Sequence, residues 1–377
     1  MIKIIIAGDY CPRYRVEKLI ENKKYNDIFE NIAPIVKSAD YTVVNFECLI
    51  VADNNTARIF KIGPHLRCSE NAIEAIKNVG FNLATLANNH IYDYGSKGVI
   101  ETLLTCKKYE IDTVGAGKNL IEAQQIFYKP IKDKKIAFLN FCENEFSIAS
   151  PNTAGASPLN IVANYYQIQE AKQNADYVIV IIHGGNEHYQ LPSPRMKETY
   201  RFFADAGANA IINHHQHCYS GYEVYKETPI FYGLGNFCFD NEKHRNNSWN
   251  EGYMVQLVFN NNDIKFDLIP YTQCNDKPNI EIVENKTFFH SEITRLNQII
   301  SDDEALMENF SNFVHARKKV MLSYFEPYNN RYLRGLQRRR LIPSFFSKKK
   351  KNLMLNLVRC EAHRDVLLSA LSPKNIY

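Results

Sequence analysis

No apolar run in this 377-residue sequence approaches the ~20 residues needed to span a bilayer. The N-terminal MIKIIIAGDY holds three consecutive isoleucines and then reaches Asp9, too short a stretch for a signal-peptide core. A cytoplasmic protein is therefore expected. The nine cysteines are scattered, odd in number and contain no CxxC pair, so neither a disulfide framework nor a cysteine zinc site is expected. VGAGKN at 114–119 lacks the GxxxxGK[ST] spacing of a phosphate loop and reads as a strand-to-turn segment. Internal repeats and low-complexity blocks are lacking. So is any nucleic-acid reading motif, and no nucleic-acid partner is expected.

What the chain does have suits a globular protein: 45% hydrophobic and 23% charged residues, with 23 Tyr and 22 Phe that favour strands and sheet packing. The net charge of +4 conceals an asymmetry. Residues 331–351 carry nine basic side chains and no acid, which leaves the rest mildly acidic.

Short runs rich in Val, Ile, Phe and Tyr recur at 2–8, 41–46, 81–87, 135–141, 176–183, 209–214 and 229–235. Their near-continuous apolarity predicts strands covered on both faces. Helical patterns lie between most of them, at 26–39, 69–80, 97–109 and 194–207, with Ser69 as an N-cap and Gly80 and Gly207 as C-caps. The alternation predicts a layered α/β fold. Residues 253–271 read as a hairpin around Asn-Asn-Asn-Asp. Strand signals stop near 285, and 291–325 and 352–371 read as helices. These features predict a domain over 1–285 and a basic helical extension over 286–377.

Polar, metal-capable residues follow the apolar runs one after another. They are Asp9, Asn45 and Glu47, Asn88-Asn89-His90 with Asp93, His183 with Glu187 and His188, His214-His215-Gln216-His217, and Asn236. A lone strand-end aspartate is ordinarily a turn or cap residue, and a lone histidine a hydrogen-bonded core residue. The collective placement is more informative, because ligands of α/β sheets bind beyond the carboxyl ends of the strands. Five of the eleven histidines fall within 35 residues. Carboxylates and imidazoles buried together require a cation, and this donor set suits Zn, Mn, Fe or similar ions. Asp9, Glu47, Asn89, His183, His215 and His217 are the candidate ligands.

These motifs resemble the CapA family of capsule and poly-γ-glutamate synthesis proteins, which looks like a branch of the calcineurin-like metallophosphoesterases. The resemblance rests on GD at 8–9, NFE at 45–47, ANNHIYDYG at 87–95, HGGNEHY at 183–189, DAGANAIINHHQH at 205–217 and FYGLGNFCFD at 231–240. It runs from residue 2 to about 271 and implies a layered metallophosphoesterase-like β-sandwich flanked by helices. It further implies two divalent ions bridged by Glu47, one completed by Asn89, His183 and His215, the other by Asp9 and His217. His90 would contact substrate and protonate the leaving group, with Asp93 orienting it. The sequence departs from the family in three places. Cys11 stands where related phosphoesterases carry a histidine, which implies either a weakly held first metal or Cys11 as a thiolate ligand; HGG replaces HWG, and NHHQH replaces GHHPH.

The resemblance implies a metal-dependent hydrolase serving capsule or surface-polymer biosynthesis, or else a non-catalytic metal-containing protein that binds or assembles the polymer. Expected partners are an anionic polymer or phosphoester substrate. The mixture LIPSFFSKKKK at 341–351 adds an expected peripheral contact at the inner membrane face through 331–351.

Overall fold

A computed structural model describes residues 1–359 apart from 54, 62, 261, 262 and 329, together with 363 and 371. Two compact units are formed, Met1–Leu306 and Met307–Tyr377. In chain order the strands of the first unit are β1 Ile2–Tyr10, β2 Tyr41–Phe46, β3 Leu83–Thr85, β4 Asp112–Val114, β5 Ala116–Gly117, β6 Phe127–Ile131, β7 Lys134–Cys142, β8 Gly155–Ala156, β9 Tyr177–His183, β10 Ala210–His214, β11 Tyr222–Tyr225, β12 Thr228–Phe231, β13 Asn236–Cys238, β14 Glu251–Asn260, β15 Asp263–Gln273 and β16 Ile280–Ile282.

One sheet has the order β16-β15-β14-β1-β2-β3-β4, with β13 also paired to β1. A second runs β11-β12-β10-β9-β7-β6. β1 to β4 are mutually parallel, as are β7, β9, β10 and β12. Antiparallel strands β14–β16, β6 and β11 complete the edges. The expected α/β sandwich is therefore present, mixed rather than purely parallel.

Period-two alternation assembles the layers. Ile2, Ile4 and Ile6 of β1 face the second sheet, whereas Ile5 and Ala7 face helices. Between the sheets, Tyr41 meets Phe138 with ring centroids 5.5 Å apart, Tyr177 meets Phe259 at 4.6 Å and Phe231 meets Phe266 at 5.1 Å. On the outer face of the second sheet, Phe141 packs on Phe203 of the helix Pro194–Ala206. The helix Thr287–Ser301 buries Phe289, Ile293, Leu296 and Ile300, a stripe at helical spacing, in the core shared by the sheets. That burial carries the first unit past the boundary expected at 285, to Leu306.

Several local expectations are revised. The helix expected over 26–39 splits into Tyr25–Phe29 and Ala33–Lys37, because Pro34 fits only a first turn. The N-cap is Glu70 rather than Ser69; the helix Asn71–Val79 starts after Glu70, and Ser69 contributes only its carbonyl, which accepts from Ala72 N. Gly80 and Gly207 do end their helices, at φ +111° and +120°. The apolar run at 229–235 stops being strand at Phe231, and a new strand opens at Asn236. Of the helix expected over 352–371, Lys348–Arg359 is formed; residues beyond it fall outside the described part, 363 and 371 excepted.

One backbone crossing fixes the site's geometry. Asp9 N donates to Gly235 O at 3.1 Å. A Cβ on Gly8 would lie 2.0 Å from that same oxygen, and Gly235 itself turns at φ +78°. Gly8→Ala should therefore cost about 1–3 kcal/mol of overpacking. The measurement is urea unfolding: a lower midpoint with an unchanged slope is expected, whereas an unchanged midpoint would mean that the crossing is slack.

Candidate metal centre

Register brings the strand ends level. Asp9 pairs with Asn45 of β2 and with Asn236 of β13, while His183 of β9 pairs with His214 of β10 and with Cys142 of β7. The two sheets thus offer their polar termini to one place. Asn140 of β7 ties them together there, accepting from Ala87 N at 2.7 Å and donating to Ile181 O at 3.1 Å. Asn88 is a turn residue; its amide nitrogen donates to Phe46 O and its amide oxygen accepts from His90 N. It thereby presents Asn89 and His90.

The donors fall into two overlapping groups, Glu47–His183–His215 and Asp9–Glu47–His217, each with ligand-capable atoms within 4.8 Å of one another. Glu47 is common to both. Its Oε1 lies 3.6 Å from His183 Nε2 and 3.6 Å from His217 Nε2. The residue is fully buried, and neither carboxylate oxygen has a hydrogen-bond partner among the described residues. His183 Nε2 stands 3.1 Å from both Asn89 Oδ1 and His215 Nδ1. All six candidate ligands therefore lie in one buried cluster. Cys11, which packs among apolar residues, is in neither group.

Neighbouring groups hold these donors in place. Asn45 donates to Asp9 Oδ1 at 2.7 Å and lies 3.2 Å from His183 Nδ1, while its own oxygen accepts from Thr85 Oγ1. Asn236 spends both amide protons on the carbonyls of His217 and Trp249, so its oxygen accepts from His217 Nδ1 at 2.9 Å. That bond fixes the His217 tautomer and leaves Nε2 unprotonated, able to ligate a cation. The indole of Trp249 covers His217 at 4.7 Å. His215 and His217 adopt φ +92° and +55°, a strained backbone of the kind held at functional sites.

Burial dominates the electrostatics. It pushes His183 well below the usual imidazole value, aided by His215 and other neighbouring imidazoles. It pushes His215 down to about 3, and His217 to about 4 despite the Asp9 charge. The imidazoles are thus neutral at pH 7, the form that ligates a cation. Burial, then the Asp9 carboxylate, raises Glu47 well above the carboxylate range, and burial raises Asp9. An anion kept here needs a cation beside it.

His90 lies beside this cluster. Its Nδ1 is 2.8 Å from Asp93 Oδ2 and 3.2 Å from Lys61 Nζ, which leaves Nε2 for a ligand. Asp93 Oδ2 also accepts from Leu66 N, and Asp93 Oδ1 is paired with Lys61. The Lys61 side chain is 3% exposed, a buried ammonium that no motif or spacing in the sequence marks. Trp249 had a signal, as the only tryptophan in the chain. Asn45 sits inside the NFE motif.

With this geometry in view, the class is a two-sheet α/β sandwich carrying a buried histidine–carboxylate cluster at its strand ends. Residues 3–241 match the family described as bacterial capsule synthesis protein PGA_cap, and the chain belongs to that family. It is similar to capsule biosynthesis protein CapA of Bacillus anthracis, 33% identical over 246 residues, 63% of this chain and 60% of that protein. It is also similar to PGA biosynthesis protein CapA of Bacillus subtilis (strain 168), 36% identical over 237 residues, 62% of each chain. A probable polyglutamine synthesis accessory protein of Mycobacterium tuberculosis (strain ATCC 25618 / H37Rv) is 25% identical over 228 residues, 57% of this chain and 58% of that protein. The match thus spans about three fifths of each relative's length. Among solved structures, a hypothetical protein from Thermus thermophilus aligns with 72% of this chain and 99% of its own, at 14% identity and a TM-score of 0.47. No helix among the described residues is long and apolar enough to cross a membrane.

The Lys61–Asp93 pair makes a stability prediction. Removing one partner of a buried pair leaves an uncompensated charge at a cost of about 3–5 kcal/mol. Lys61→Met should destabilise by that order in urea unfolding. Adding Asp93→Asn should recover part of the loss, whereas additive losses would mean that the two side chains are not coupled.

Proposed function

We propose that the chain is a metal-dependent hydrolase of the metallophosphoesterase type, acting on a phosphoester or amide of an anionic surface polymer during capsule biosynthesis. The observation that carries this reading is Glu47, a buried carboxylate without a hydrogen-bond donor, shared by two imidazole-containing groups. The donor chemistry fits two divalent ions of the Mn, Zn or Fe kind. Glu47 would serve both. Asn89, His183 and His215 would complete one position, and Asp9 and His217 the other.

Two cations held there supply Lewis acidity toward a phosphoryl or carbonyl oxygen. The chain's own residues do the rest. Asn236 and Asn45 fix the orientation of His217 and Asp9. Trp249 and Phe239 shield the His217 face from water. His90 hands a proton from Nε2 to the departing oxygen or nitrogen, with its Nδ1–H donating to Asp93, whose other oxygen is paired with Lys61.

A second reading is a metal-containing protein that binds or assembles the polymer without turning it over. The accessory role in the printed name of the Mycobacterium relative favours it.

Metal content tests the shared-ligand arrangement apart from activity. After dialysis against Mn or Zn, elemental analysis should find two equivalents on the wild type and one on His217→Ala. Glu47→Gln should retain neither. Two equivalents on Glu47→Gln would sink the bridging role. Turnover is tested with phosphomonoesters, phosphodiesters and γ-glutamyl amides. His90→Ala should keep its metal and lose on the order of 100-fold or more in rate. Full activity of His90→Ala would overturn the proton-donor assignment. A metal-loaded wild type inactive on every substrate class would favour the binding role.

A further inference from the structure

The second compact unit contains a cavity of about 560 Å³ whose wall is partly cationic and partly apolar. Lys319, Arg338, Arg340 and Lys351 contribute the charges. Leu322, Leu341, Ile342, Pro343 and Phe346 contribute the apolar surface. One acid, Glu326, also reaches it, and its carboxylate is already engaged. Glu326 Oε1 accepts from Ser344 Oγ and Gln337 Nε2, and Oε2 accepts from Phe345 N at 2.9 Å. Glu326 is a latch that folds the 344–346 segment onto the rest of the wall; a second fastening is Tyr328 OH donating to Pro343 O at 2.6 Å. The four cations form no ion pair among the described residues.

The surroundings carry the same two characters. Residues 307–359 hold thirteen lysines and arginines against two glutamates. Leu341 is 67% exposed and Phe345 57%, and beyond them the helix Lys348–Arg359 opens with four lysines and then exposes Leu353, Leu355 and Val358. A soluble polyanion has no use for the apolar part of this surface. An anionic lipid uses both parts: its headgroup meets the lysines and arginines, while exposed leucine and phenylalanine side chains enter the interface.

We propose that this cavity binds the phosphate-bearing headgroup of an anionic lipid and docks the second unit on a membrane surface. The inference is independent of the metal centre and of hydrolase activity.

The test is co-sedimentation of the full chain with vesicles of phosphatidylcholine alone, or of phosphatidylcholine and phosphatidylglycerol in equal parts. Wild type should sediment with the mixed vesicles alone, and less so as salt shortens the screening length. Arg338→Gln with Arg340→Gln removes two cavity charges. Arg331→Gln with Arg334→Gln removes two charges from the neighbouring helix Arg331–Arg338 that do not line the cavity. Both pairs remove two charges and lose diffuse surface attraction equally, so the cavity pair should weaken binding on the order of tenfold more than the control pair, through its further cavity contacts. Unchanged metal content and circular dichroism in both variants keep misfolding out of the comparison.

Equal losses from the two pairs would overturn the cavity in favour of diffuse charge. Sedimentation of wild type with neither vesicle would overturn the membrane assignment outright. Displacement from the mixed vesicles by millimolar inorganic phosphate, or by soluble polyglutamate at equal charge, would replace the lipid with a free anion or a polyanion.

Discussion

Glu47 is withdrawn from water within the first unit, with no donor on either oxygen among the described residues and a second carboxylate, Asp9, nearby. An arrangement of this kind costs several kcal/mol unless a positive charge sits beside it. The surrounding imidazoles do not provide that charge, because burial keeps them neutral. Much of the nearby architecture is organised around this constraint. Level strand ends in two sheets place the donors, Asn45 and Asn236 orient them, and the Gly8–Gly235 crossing lets β13 approach β1 closely enough for Asn236 to reach His217.

The family match and the geometry address different questions. The match over residues 3–241 places the chain among capsule synthesis proteins. It does not reach the second unit, where the charge asymmetry of the sequence is concentrated. The geometry contributes the sharing of Glu47 between two donor groups, and the proposed chemistry is built on that feature. The two donor groups form without Cys11.

Several features were legible along the chain because they are local. Period-two burial in β1, left-handed caps at Gly80 and Gly207, and the hairpin of β14 and β15 all depend on a few consecutive residues. Other expectations failed where distant contacts decide the outcome. The first unit extends past 285 because one face of the helix Thr287–Ser301 finds a partner in the sheet core, which the helix's own pattern does not specify. The 229–235 run divides because Gly235 turns against β1.

The sequence by itself determined the residue types at the strand ends, and hence the donor chemistry of the site. Six candidate ligands were identifiable because each follows an apolar run, and strands deliver their last residues to a sheet edge. Tertiary structure alone decided how those donors divide around one carboxylate, which asparagines lock which rings, and that Lys61 pairs with Asp93 beside His90. Lys61 lies 29 residues before His90 in a segment without periodicity. Such a contact is set by how a loop closes over packed layers, and local sequence carries no record of it.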